Sequence, residues 1–148
     1  MTVAVHVTVD LAAPPDAVWS RLQHIDSHVE WMADAETITF RTAQRDGIGT
    51  EFECRTRLGP FVTNDVMRVT EWEPQAVMGI EHRGLVRGSG RFTLTPTGTG
   101  TRFAWDEQLK FPWWMGGRAG EVVAKPVLRR VWQGNLDRFR DQVEDPTD

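Results

Sequence analysis

Between Glu36 and Phe111 the chain is broken at regular intervals by turn signals: Asp46-Gly47, Gly59-Pro60, Glu73-Pro74, Gly84 and Thr97-Gly98-Thr99-Gly100. After Phe111 comes one long apolar stripe with helical spacing. Strand-length segments separated by such turns read as successive antiparallel hairpins. An antiparallel sheet must have its apolar face covered, and this chain offers one substantial helix to cover it. That imbalance limits the fold more than any other feature of the sequence.

The segment before the hairpins fits the same sheet. Val3, Val5, Val7 and Val9 alternate with Ala4, His6, Thr8 and Asp10, the period of a half-buried strand. Pro14-Pro15 then suits a helix's first turn, where a missing N–H costs nothing, and Val18, Trp19 and Leu22 follow at helical spacing. A second short helix is expected near residues 27–32. In the last stretch Val123, Val127 and Val131 form one row, and Leu128, Trp132, Leu136, Phe139 and Val143 another, giving a broad stripe over residues 117–144. Pro126 interrupts it and is expected to kink the helix or end a first segment. The order is strand, two short helices, six strands and a long helix. This is an α+β chain with a seven-stranded curved antiparallel sheet, and one helix cannot fill such a sheet, so a cavity between them is expected. At 148 residues the chain accommodates one domain, spanning 1–148.

Composition narrows the function. The net charge of −4 with no basic run lacks the footprint of nucleic-acid binding. The single cysteine, Cys54, allows neither an internal disulfide nor a paired-cysteine metal or redox motif, and the N-terminus has no secretory pattern, which points to the cytoplasm. No motif requires a cofactor or a metal. His24 and His28 stand four residues apart, a spacing two metal ligands could use, but with no third ligand they read as a solvated surface pair. Asp46-Gly47-Ile48-Gly49 lacks the lysine and hydroxyl of a phosphate loop and reads as a hairpin turn. Seven Trp and seven Phe, with no Tyr, supply more apolar surface than a simple core needs.

Strand register follows from the turns. Closing the last hairpin at Thr97–Gly100 sets Leu94 opposite Phe103, Phe92 opposite Trp105, Gly90 opposite Glu107 and Gly88 opposite Leu109. Working back through the other turns places Met78, Ile80 and His82 beside Phe92, Gly90 and Gly88. Val69 and Met67 then meet Ile80 and His82. Phe52, Cys54 and Thr56 meet Met67, Asp65 and Thr63, while Ile38 and Phe40 meet Cys54 and Phe52. The inward face so derived is apolar: Ile38, Phe40, Phe52, Met67, Val69, Met78, Ile80, Phe92, Trp105, Leu109 and Phe111 are the candidate ligand-binding wall. Its polar exceptions, Glu107, His82, Asp65, Thr63, Thr56 and Cys54, gather toward the turns at 58–61 and 84–87. Gly88 and Gly90 carry no side chain, so His82 and Glu107 can approach each other across them. Such a pair in an apolar pocket suits acid/base chemistry or ligand orientation; the alternative is a purely structural, solvated pair. Cys54 reads as a small buried hydrophobe. Trp72 is expected at a turn, on the opposite strand face from Val69. Phe111-Pro112-Trp113-Trp114-Met115-Gly116-Gly117 links the last strand to the helix. Trp113 and Trp114 read as a movable lid or transient membrane contact touching the ligand, with packing against the helix start as the alternative.

Several stretches resemble the SRPBCC, or START-like, superfamily, which includes polyketide cyclase/dehydratase-like proteins and the birch pollen allergen fold. They are Ala-Ala-Pro-Pro-Asp-Ala-Val-Trp at 12–19, Trp-Glu-Pro at 72–74, Gly-Ser-Gly-Arg-Phe-Thr-Leu-Thr-Pro at 88–96, Gly-Thr-Arg-Phe-Ala-Trp at 100–105 and Asn-Leu-Asp-Arg-Phe-Arg at 135–140. The resemblance implies a helix-grip fold with an apolar cavity and the segment at 111–117 at its mouth. It also implies a choice of functions: binding or transport of a lipid, polyketide or isoprenoid-like molecule, polyketide aromatase/cyclase or dehydratase chemistry with His82 and Glu107 as the catalytic candidates, or a chaperone-activator type of interaction module. The superfamily's cyclases use an inward Arg with Tyr or Ser groups; this chain has no Tyr, and the register turns Arg55, Arg57, Arg68 and Arg91 outward.

Overall fold

The computed structural model describes residues 2–114 and 116–145. Strand β1 (Thr2–Leu11) leads to α1 (Pro15–Leu22) and a 3-10 helix (Ile25–Glu30), followed by β2 (Ala35–Phe40), β3 (Glu51–Leu58), β4 (Phe61–Glu73), β5 (Val77–Arg83), β6 (Arg87–Pro96), β7 (Thr101–Lys110) and α2 (Gly117–Glu144). The second short helix thus begins two residues earlier than its spacing suggests and is 3-10. The strands form one antiparallel sheet of seven in the order β1-β7-β6-β5-β4-β3-β2, the helix-grip arrangement.

Alternation explains the sheet's two faces. In β1, Val3, Val5, Val7, Val9 and Leu11 are buried, while on the outer face His6 pairs with Asp106 and Asp10 with Arg102. The cross-strand partners are those derived from the turns, from Phe92↔Trp105 and Gly90↔Glu107 through His82↔Gly88 to Cys54↔Asp65. One departure is a bulge in β4 between Val69 and Glu71, after which Trp72 faces Met78. The extra residue returns Trp72 to the Val69 face, where its ring meets Trp19 with centroids 5.1 Å apart. Trp72 is therefore on the core side, opposite to the sequence expectation.

The helix α2 runs unbroken through Pro126, so the proline does not end a first segment. The carbonyl left without its helical donor belongs to Val122, which is exposed and within reach of water. The two halves of α2 differ. Leu128, Trp132, Asn135, Leu136 and Phe139 are buried in the second half, whereas Val122, Val123 and Val127 in the first are exposed. What clamps the second half is an aromatic cluster centred on Trp31, whose ring lies 5.1 Å from Phe139, 6.0 Å from Phe92, 6.3 Å from Phe103 and 6.1 Å from Trp105. Trp105 in turn stacks on Trp132 at 5.2 Å. A polar tie accompanies it: the fully buried Asn135 donates to Asp34 Oδ1 at 2.8 Å and accepts from the Ala33 N–H at 3.0 Å. Removing the hub should open a large void between helix and sheet. Trp31→Ala is expected to lower unfolding free energy by about 3–5 kcal/mol, measured by denaturant titration.

Candidate functional site

Beyond the aromatic cluster the small and β-branched residues of α2 do not reach the sheet, and a cavity of about 730 Å³ remains between them, a size usual for small-molecule sites. Its wall is mostly aliphatic and aromatic. Phe52 and Cys54 come from β3, Met67 from β4, Met78 and Ile80 from β5, Phe92 from β6, Trp105 and Leu109 from β7, and Ile38 and Phe111 complete the sheet side. Facing them on α2 are Val123, Ala124, Val127, Leu128, Val131 and Trp132. Phe61, Val123 and Val127 line the cavity and are also exposed, so it opens to solvent there.

Within this wall His82 and Glu107 meet. The imidazole Nε2–H donates to Glu107 Oε2 at 2.8 Å, and the indole N–H of Trp105 donates to Glu107 Oε1 at 2.9 Å. Both carboxylate oxygens are engaged, and the two side chains are only 11% and 5% exposed. Glycine makes the approach possible: a Cβ on Gly90 would lie 2.3 Å from Glu107 Oε1. At Gly88 the backbone has φ +136° and a Cβ would lie 1.8 Å from the Gln108 carbonyl oxygen, so a side chain is excluded there as well. Burial pulls the His82 pKa down, but the hydrogen bond and charge of Glu107, aided by the charge of Asp65, outweigh it and raise the pKa above the ordinary value.

Asp65 lies on the same wall, buried opposite Cys54. Its Oδ1 accepts the Leu85 N–H at 3.0 Å, pinning the β5–β6 turn against β4. Cys54 sits beside Thr56, and burial pushes its thiol up to about 11, which leaves it protonated and a poor nucleophile. Asp34 also lines the cavity, held by Asn135 and by the Trp132 indole N–H at 3.4 Å.

Four residues expected to meet the ligand, two on the wall and two at its mouth, stand elsewhere. Val69 is fully buried behind it, sealed by its neighbours. Phe40, on the edge strand, takes the Arg45 guanidinium over its ring at 4.5 Å and borders a separate groove with His24 and Asp26. Trp113 and Trp114 are 84% and 60% exposed and do not line the cavity, because the chain leaves the sheet after Lys110 and turns through the left-handed Gly116 and Gly117 into α2. Met115, between them, lies outside the described residues. His28 is also displaced from expectation: it is buried rather than solvated, lines the cavity, and donates from Nε2 to the Leu22 carbonyl at 2.8 Å. The α2 wall and Asp34 are absent from the sequence-derived wall. The row Val123, Val127, Val131 is visible as a stripe in the sequence, but nothing in a stripe says whether it meets side chains or empty space.

Among the described residues no helix is long and apolar enough to cross a membrane, and no cluster of three or more His, Cys, Asp or Glu could hold a metal ion. Comparison with known proteins agrees with this geometry. The sequence model of the family described as polyketide cyclase / dehydrase and lipid transport matches residues 2–144. No curated protein sequence matches the chain. Among solved structures, the Zhui aromatase/cyclase from Streptomyces sp. R1128 superposes with a TM-score of 0.82 at 14% identity, covering 100% of this chain and 97% of its own. TTHA0849 from Thermus thermophilus gives 0.76 at 16% identity with 100% of both chains covered. MLL2253 from Mesorhizobium loti gives 0.68 at 20% identity with 98% of both covered. At these identities the structures share the fold.

Two outcomes follow for the site. In Gly90→Ala the new Cβ displaces the Glu107 carboxylate, so NMR titration of the His82 ring should show its pKa falling below the wild-type value as burial prevails. His28 carries the opposite linkage. Burial pushes its pKa from 6.5 down to about 4, so the unfolded chain takes up a proton before the folded one does. Stability is full above about pH 6.5 and is lost as pH falls toward 4, by on the order of 3 kcal/mol from this residue. The stability gap between wild type and His28→Gln, which retains an N–H for the Leu22 carbonyl, should change by that amount over the interval in denaturant titrations at each pH.

Proposed function

The chain belongs to the polyketide cyclase / dehydrase and lipid transport family, and on that premise we propose that it binds or carries a hydrophobic small molecule, such as a lipid, polyketide or isoprenoid-like compound, in its internal cavity. The observation that carries this reading is the largely apolar cavity of about 730 Å³ with one polar corner where His82 and Glu107 pair. Burying ligand apolar surface there supplies about 25 cal/mol per Å², and the corner at His82, Glu107 and Asp65 orients the ligand's polar end. The net negative charge argues against nucleic acid as a partner, and the protein is read as cytoplasmic. Transient membrane contact during ligand uptake is part of the same reading. It is supported by the exposure of Trp113, Trp114, Phe61, Leu85 and Val123, and by Arg87 and Lys110, which face each other across β6 and β7 and would favour an anionic surface.

The buried imidazole–carboxylate pair favours one second reading, aromatase/cyclase or dehydratase chemistry. Glu107 fixes the His82 ring through Nε2, which leaves Nδ1 to take a proton from an activated carbon or return one to a departing hydroxyl. The absence of Tyr in the chain weighs toward binding.

Native mass spectrometry of the purified protein, followed by extraction and identification of bound compounds, tests the proposal. A stoichiometric apolar molecule is the expected result. Failure to retain one, together with failure to take up the neutral probe N-phenyl-1-naphthylamine, would sink both readings. With a ligand in hand, His82→Ala that keeps affinity but abolishes turnover selects the enzyme; weakened binding with no turnover in either protein selects the carrier.

A further inference from the structure

The charged groups that line the cavity are nearly all paired. Glu107 uses both oxygens on His82 and Trp105, and Asp34 uses both on Asn135 and Trp132. Arg91, the one Arg or Lys bordering the cavity among the described residues, turns its guanidinium to Glu71 on the outer face, at 3.2 Å. What remains is Asp65. Its residue is only 6% exposed, its Oδ1 is taken by the Leu85 N–H, and its Oδ2 accepts from no described residue. Every described side-chain oxygen or nitrogen sealed from solvent has a partner, so this free oxygen faces open space, and the space Asp65 lines is the cavity. The ring Nδ1 of His82 is likewise without a partner among the described residues. Asp65 and His82 are diagonal neighbours on one face, since Met67, two residues along β4, is directly opposite His82; such neighbours stand roughly 7–8 Å apart at the backbone, and the Asp65 charge acts on the imidazole.

An acceptor from a carboxylate and a nitrogen of an imidazole, side by side in an apolar chamber, discriminate among polar ends. A carboxylate ligand can only accept, and it would meet the carboxylates of Asp34, Asp65 and Glu107 with only imidazoles and the Thr56 and Thr63 hydroxyls to offset them. A hydroxyl or an ammonium can donate to Asp65 Oδ2, or to the lone pair that Nδ1 carries while Nε2–H donates to Glu107. We infer that the cavity is specific for apolar molecules whose polar end donates a hydrogen bond, such as alcohols, phenols or amines, with that donor on Asp65 Oδ2, and that it excludes carboxylates of the same size. This rests on the cavity being a binding site and adds the chemistry of what it accepts.

Competition against N-phenyl-1-naphthylamine by 1-decanol, decanoate and decylammonium, with the full chain at about pH 7.5 where decanoate is ionised, tests it. Decanol and decylammonium should each displace the probe at a concentration at least roughly tenfold below that needed of decanoate. In Asp65→Asn, whose amide keeps an acceptor for Leu85 and presents an N–H to the cavity, decanol should weaken and decanoate should strengthen to within roughly threefold of it. Asp65→Ser, which removes the carboxylate, should likewise bring decanoate toward decanol, and provides a second test should Asp65→Asn fail to fold. Decanoate binding as tightly as decanol to the wild-type protein, or an order of affinities unchanged in a folded Asp65→Asn, overturns the inference while leaving the cavity a binding site. Failure of the neutral probe itself to enter, with no compound retained by the purified protein, removes the binding-site reading, and this inference with it.

Discussion

The clamp between Trp31 and the second half of α2 is the contact on which the rest of the molecule depends. Five aromatic rings from the 3-10 helix end, the sheet and α2 converge within about one ring's width of each other, and Asn135 adds a buried hydrogen-bonded tie to the chain just after Trp31. Aromatic rings fill the helix–sheet gap where they exist. Where α2 offers Gly120, Val123, Ala124 and Val127 instead, nothing is long enough to cross it, and the cavity is what remains. Stability and binding space are thus divided along one helix by side-chain size.

The polar corner depends on the same clamp. Trp105 belongs to the cluster and also donates its indole N–H to Glu107, so the rigid part of the core sets the position of the carboxylate, which then sets the imidazole of His82. The absence of a side chain at Gly90 supplies the room. A buried charge held by an indole, an imidazole and a glycine vacancy is costly to place, and it sits where the apolar wall would otherwise be continuous.

Much of this is legible in the sequence. Side chains alternate strictly along a strand and hairpin turns fix the pairing, so the register that brings His82 and Glu107 together can be counted from Thr97–Gly100 backward. The failures share a cause. A bulge at Thr70 shifts the phase of Trp72, and no residue type announces it. His28 reads as a surface partner of His24 because helical spacing ignores the irregular 3-10 turn, which buries it under Leu22 and against Trp31. Phe40 and Val69 lie on the predicted face but at its edge and behind its surface, a distinction of depth that periodicity does not contain. Trp113 and Trp114 lie in a connection whose path is set by the left-handed glycines that follow.

The sequence by itself determined the order of elements, the antiparallel pairing and the face each strand residue takes, because these follow from local periodicity and turn chemistry. Only the tertiary structure decided which part of that face is core and which is cavity, since this depends on whether residues distant in sequence, such as Trp31 and Phe139, reach one another. It also decided the state of the polar groups. That Glu107 has both oxygens occupied while Asp65 keeps one free is a matter of distances across strands, and from it comes the selectivity assigned to the site.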